Sequence, residues 1–247
     1  MRSRLPWLSE YWQGIVLTFT ACAVTLWLGA AGKLDLYIHP RYILFTVVMG
    51  LMALAILLFG MWHGQGTRGL TARTSLPGLL LGITCMILCL SLVVTRPAPL
   101  TSSIASQRGV NTASLDLSTS ATDVTSSISG SDYSRLTVKE WASLLGQTSD
   151  PGFFVGKKVQ LTGFVTPIKE DSDSFYISRF VVTCCAVDAR PIGVPVKMPG
   201  WQAVYKENQW LQLKGEFIKN IDQASPAVVV DSESIQKINE PDNPYDF

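Results

Sequence analysis

Three uninterrupted apolar runs constrain this chain more than anything else in it. Residues 14–31, 42–61 and 76–94 contain no Asp, Glu, Lys or Arg. Each is close to the ~20 residues that a helix needs to cross the hydrocarbon core of a bilayer. Inside lipid every backbone N–H and C=O must be satisfied within its own segment, so runs of this kind read as helices. Arg2 and Arg4 give the first run the flank of a secretory signal, but eighteen apolar residues exceed the core of one, and two further runs follow. Three transmembrane helices within residues 1–96 are therefore expected. Trp7, Trp12, Trp27, Tyr37, Tyr42 and Trp62 fall near their ends, where interfacial aromatics belong. Arg2, Arg4, Arg68 and Arg73 on one side are matched by Lys33, Arg41, Arg96 and Arg108 on the other, and the terminal amine tips the count toward a cytoplasmic N-terminus in the cell membrane. The C-terminal half then lies outside.

The third run carries Gly78, Gly82, Cys85 and Cys89 on one helical face. Small side chains there permit close helix–helix approach, either within the chain's own bundle or against another membrane protein. His39 and His63, the only histidines, fall one per loop beside helix ends and read as solvated interfacial residues.

Beyond residue 96 the composition changes. Nearly half of residues 101–130 are Ser or Thr, with only Arg108, Asp116 and Asp123 charged. A stretch like this buries too little apolar surface to offset its ordering entropy, and residues 97–136 read as a flexible tether. Residues 137–247 carry eleven Lys/Arg against fourteen Asp/Glu, whereas residues 1–136 carry nine against five. An acidic domain lacks the basic face that a nucleic-acid partner requires. A basic membrane half suits anionic lipid.

Thr137 and Glu140 have the spacing of a capping box, so a short helix starts at Val138, with Val138, Trp141, Ala142 and Leu145 as its buried stripe and Asp150-Pro151-Gly152 as its stop. Strands are expected over 158–168, 175–184, 192–198, 209–221 and 227–231. Leu161-x-Gly163-x-Val165 and Leu213-x-Gly215-x-Phe217 place glycine mid-strand, where it lets a strand bend sharply around a small barrel. Pro195 argues for an edge position in the third strand. A five-stranded, OB-like barrel with an N-terminal helix is the expected fold, and an open sheet covered by the helix is the rival.

Reactive side chains gather at one place, the 179–196 stretch RFVVTCCAVDARPIGVPV. Strand alternation sends Tyr176, Ser178, Phe180, Val182 and Cys184 to the more apolar face, which predicts a core-facing Cys184 and an outward Cys185. Arg179, Cys184, Cys185 and Asp188 are the candidate functional residues. Three readings stand for the pair: a metal site with Asp188 as a third ligand, a strained redox disulfide, or structural cysteines with Asp188 serving a turn. Zinc usually takes four N/S ligands, and the domain has no histidine to complete such a set. The same absence removes the usual general base. No GxSxG, HExxH, P-loop or paired-carboxylate motif stands beside the site, and an enzyme is not expected.

Several segments together resemble a bacterial family of permease subunits, the YcgQ-like proteins. They are Arg179-Phe180, Cys184–Ala189 (CCAVDA), Pro191-Ile192-Gly193-Val194, Pro151-Gly152, Gly156-Lys157, Thr162-Gly163-Phe164-Val165 and the tail Pro241-Asp242-Asn243-Pro244-Tyr245. The first-loop segment Tyr37-Ile38-His39-Pro40-Arg41 is similar as well. The resemblance implies a membrane protein that works with a larger multi-span permease and carries an extramembrane C-terminal domain. Some members have a His-rich run between spans, where residues 62–75 of this chain have only His63, and some have His-Cys in place of Cys184-Cys185. An accessory subunit of a transport complex, its domain capturing or gating near the permease mouth, is the leading expectation. A stand-alone thiol-redox or metal-sensing membrane protein is the alternative.

Overall fold

The computed structural model describes residues 8–63, 83–84, 87, 91, 99–112, 133–148, 150–169, 171–220 and 226–247. They fall into two compact units, Met1–Ala98 and Pro99–Phe247.

In the first unit, α1 spans Leu8–Ala30 and α2 spans Pro40–His63. A short turn of 3-10 helix, Leu34–Leu36, lies between them. The helices meet where side chains are small: a methyl of Val47 lies 3.1 Å from where a Cβ on Gly29 would sit, and Leu26 3.6 Å from that of Gly50. Thr20 and Thr25 return their hydroxyls to the carbonyls of Val16 and Ala21, so these two donors are satisfied within the helix. One helical stretch, Pro40–Gly60, is long and apolar enough to cross a membrane; α1 adds a shorter apolar stretch, Gly14–Ala30. The side chains of α2 point outward, with Leu44, Phe45, Ile56 and Phe59 all exposed, the reverse of a helix in a soluble core. The third expected span lies outside the described residues except for Ile83, Thr84, Ile87 and Ser91, which are helical. Gly78, Gly82, Cys85 and Cys89 lie outside them.

The second unit is a six-stranded sheet: β1 Lys158–Ile168, β2 Asp171–Val181, β3 Arg190–Lys197, β4 Trp210–Lys219, β5 Val228–Lys237 and β6 Tyr245–Asp246. Its order is β1-β4-β5-β3-β2-β6, and β1 also pairs with β2, so the five long strands close a ring of pairings. All neighbours are antiparallel except β3–β5 and β2–β6. The expected glycines sit where the ring bends. At Gly163, β1 is leaving β4 for β2, and an added Cβ would lie 2.5 Å from the carbonyl oxygen of Ser178. At Gly215 the β4–β5 register shifts, and a Cβ would lie 2.1 Å from the carbonyl oxygen of Asp231. Neither site has room for any other residue without movement of backbone.

The interior holds Val159, Leu161, Val165, Phe175, Ile177, Val194, Leu213 and Val230. A third helix, α3, spans Ser102–Arg108, and a fourth, α4, spans Val138–Gln147. The capping box at Thr137 and Glu140 forms as expected, and α4 inserts Trp141 against Phe217 and Phe154, with ring centroids 4.8 and 6.3 Å apart. Leu145 is partly buried and packs against the same core, and Ser143 is buried beside the stripe as well.

Two expectations are corrected here. Residues 99–112 do not behave as tether: they form a strap, including α3, laid against the sheet with Ser102 and Ala105 buried. Leu100 N–H donates to the Tyr245 hydroxyl at 3.0 Å, Ser102 N–H donates to Asn208, and Asn111 exchanges two hydrogen bonds with Gly193, at 2.8 and 3.0 Å. Asn111 and Asn208 are the two described non-glycine residues with positive φ, and both hold the strap. The second correction concerns β2. Its odd-numbered residues Phe175, Ile177 and Val181 face the interior. Its even face is buried instead under Phe164, Trp210 and Tyr245, where Phe180 stacks on Phe164 at 5.5 Å. With both faces covered, apolar alternation cannot say which side is the core.

β3 pairs with β2 along its length but with β5 only at Val196 and Lys197. The groups facing its open side belong to Pro191, Gly193 and Pro195; β3 lies between β2 and β5 and is not the edge strand expected from Pro195, but this part of it has no strand partner on one side. Only Gly193 has an N–H to offer there, and Asn111 accepts it.

Candidate functional site

The candidate residues lie where β2 ends. Val181 is its last residue, and Val182 N–H donates to the Asp246 carbonyl at 3.0 Å, closing the strand against the C-terminal β6. The chain then winds around the Asp188 carboxylate. Cys184 N–H donates to Oδ2 at 2.8 Å, and Thr183 and Cys185 N–H donate to Oδ1 at 3.3 Å each. Asp188 N–H returns a bond to the Cys185 carbonyl at 3.0 Å. One carboxylate thus organises six residues, satisfying amides that would otherwise have continued the strand.

The winding overturns the expected placement of the thiols. Cys184 is exposed rather than in the core, and Cys185 is half-buried, because alternation stops at Val182. Both thiols are free and their sulfurs are 3.6 Å apart. The two Sγ atoms and an Asp188 oxygen all lie within 4.8 Å of one another. Among the described residues this is the one such group of His, Cys, Asp and Glu donors. Val187, at the tip between them, is 82% exposed, so the cluster opens to solvent.

The electrostatics follow from this packing. The Cys184 thiol is pushed up to about 11, first by its hydrogen bond to the Asp188 carboxylate and then by that to Cys185. Burial alone would push the Asp188 carboxyl up, but the N–H groups of Cys184, Cys185 and Thr183, together with the Cys184 thiol, hold it below the usual carboxylate range. Such a loop keeps a fixed anion beside the protonated Cys184 sulfur.

Arg179 serves a different place. Its Nε lies 3.3 Å from Asp246 Oδ1, its Nη2 donates to the Asn243 carbonyl at 2.7 Å, and its guanidinium lies 5.7 Å from the Trp210 ring centroid. It pins the C-terminal strand against β2 and thereby supports the loop's first residue from behind. Two further residues matter that the sequence did not single out. Arg108 of the strap donates to the carbonyl of Ala189, immediately after Asp188. Asp246 is partly buried, and that burial pushes its carboxyl up although Arg179 and Lys139 pull it down. The sequence signal was slight: a lone Arg in a Ser/Thr-rich stretch, and an Asp next to the last residue.

A solved structure, "OBody AM3L09 bound to hen egg-white lysozyme", is similar at 15% identity over 35% of this chain and 86% of its own, with a TM-score of 0.24. No curated protein matches. The family described as the DUF1980 C-terminal domain matches residues 113–247, more than half of the chain, and the chain belongs to that family.

Proposed function

We propose that this chain is a membrane-anchored metal-handling protein, the accessory subunit of a larger permease, whose C-terminal OB-type barrel offers Cys184, Cys185 and Asp188 to a thiophilic metal ion. The reading includes three transmembrane helices, a cytoplasmic N-terminus and an extracytoplasmic domain. One observation carries it: two thiols and a carboxylate from a single six-residue loop converge within 4.8 Å on an exposed surface. Three potential anions that close repel one another once deprotonated, and a divalent cation relieves that repulsion. A redox reading needs a thiol activated for exchange, and the Asp188 carboxylate raises the Cys184 thiol instead; the same effect opposes a thiolate ligand, but there a bound cation offsets it by displacing the proton. The ring order β1-β2-β3-β5-β4, closing on β1 with β3 parallel to β5, supports the barrel. The outward-facing apolar side chains of α2 and the resemblance to the YcgQ-like permease subunits support the membrane and the partner.

The test uses the full chain in mild detergent, equilibrated with zinc and weighed by native mass spectrometry. One zinc per chain is expected, and none in the Cys184→Ser/Cys185→Ser variant. A wild-type protein that carries no stoichiometric zinc, or a double variant that keeps it, overturns the metal reading. Co-purification from native membranes tests the partner: a multi-span protein should accompany the chain, and its absence after cross-linking in cells refutes the accessory role.

A further inference from the structure

If the loop takes up a metal ion as proposed, its donor geometry also restricts the ion and the way it is held. Two thiolates bound at the tetrahedral angle to an ion 2.3 Å away lie about 3.8 Å apart, whereas two bound in line lie about 4.6 Å apart. The observed separation of 3.6 Å matches the first. The third donor is a carboxylate oxygen, which suits a borderline divalent ion rather than a soft monovalent one. Three backbone N–H groups and the Cys184 thiol occupy Asp188, and a carboxylate accepts about four hydrogen bonds, so the direction an ion would take is the one the Cys184 proton vacates when that thiol becomes a ligand. Those amides also fix its orientation, the role that supporting hydrogen bonds play around metal ligands generally.

A fourth donor is missing from this set. Among the described residues no other His, Cys, Asp or Glu joins the group, and residues 137–247 contain no histidine at all. The open side is the one bounded by exposed Cys184 and Val187. Structural zinc sites close all four positions with protein ligands, and sites that exchange ligands leave one free. The loop's shape, moreover, comes from Asp188 and not from an ion, because its turn bonds run between backbone amides and that carboxylate.

We infer that Cys184, Cys185 and Asp188 form a three-donor, zinc-type tetrahedral site whose fourth position belongs to an exogenous ligand of the imidazole or thiolate class. An ion so held is available for transfer to such a donor on another molecule. It does not hold the domain together.

Cobalt(II) is the probe, added to the full chain in detergent and followed by visible absorption. The expected result is one cobalt per chain, intense tetrahedral d–d bands and a thiolate charge-transfer band that falls about twofold in either single Cys→Ser variant. Titration with imidazole should then shift the d–d bands saturably, and chelation of the metal should leave the thermal unfolding transition in place. Four outcomes overturn the inference while sparing metal binding itself. They are bands indifferent to imidazole and to a small thiol, one cobalt shared by two chains, the pale spectrum of an octahedral site, and unfolding upon chelation. Absence of any cobalt–thiolate band sinks the metal reading as well.

Discussion

Replacing Asn111 tests whether the strap belongs to the domain. Its side-chain amide donates to the Gly193 carbonyl at 2.8 Å and accepts from the Gly193 N–H at 3.0 Å. Gly193 is buried, and a Cβ there would meet Val110 of the strap at 2.9 Å, so little else can reach those two groups. Each neutral hydrogen bond contributes about 1 kcal/mol net, and more when its buried partner is left orphaned. Asn111 has φ of 60°, a conformation that costs an alanine roughly 1–2 kcal/mol. Asn111→Ala should therefore destabilise the 99–247 fragment by about 3 kcal/mol, from two bonds at about 1 and backbone strain at about 1. Asn111→Gly, which tolerates the backbone, should lose about 2 kcal/mol. Urea unfolding followed by tryptophan fluorescence gives both values, and amide exchange should show Gly193 losing protection in each. The reasoning fails if alanine stays within about 0.5 kcal/mol of the wild type, the range of a surface substitution. It also fails if glycine is worse than alanine.

Gly215→Ala drives a methyl against the Asp231 carbonyl and should cost about 1–3 kcal/mol or more in the same fragment; an unchanged urea midpoint would refute the close approach. Asp246 has a raised folded pKa, with burial and Glu140 pushing it up against Arg179 and Lys139. Its contribution therefore favours the folded state at acid pH and fades as pH rises through and above the ordinary carboxylate range. Relative to Asp246→Asn, the wild type should do best at low pH and lose ground toward neutrality; an advantage that grows with pH refutes the sign. A reporter fused after Phe247 should be active only if it works outside the cytoplasm, and activity of a reporter confined to the cytoplasm inverts the topology.

Much of the sheet was legible because its strands alternate over glycine and turn signals. β1 begins and ends where expected. The end of β2 was not legible, since Val-Val-Thr-Cys-Cys has the composition of a strand. What stops it is a carboxylate at 188, whose grip on three amides depends on the chain having already turned. The core-facing side of β2 was hidden for a related reason: Phe164, Trp210 and Tyr245 come from distant parts of the chain to cover the other side. The strap was least legible. Its Ser/Thr content reads as tether, and its anchors, Asn208, Ala189 and Gly193, lie 81 to 106 residues away. The extension of β5 through Asp231, Ser232, Glu233 and Ser234 has little apolar signal, because that part needs a partner strand and not a buried side chain.

The open side of β3 has a consequence for the protein's life in a crowded compartment. A strand border with ready donors recruits strands from neighbouring molecules, and a domain that loosened its covering segment there would invite clumping. On this border Pro191 and Pro195 have no amide hydrogen to give, and the single donor of Gly193 lies between them. Movement of residues 99–112 would uncover one donor instead of a row of them. The segment that precedes the sheet can thus shift without turning the sheet into a seed for aggregation.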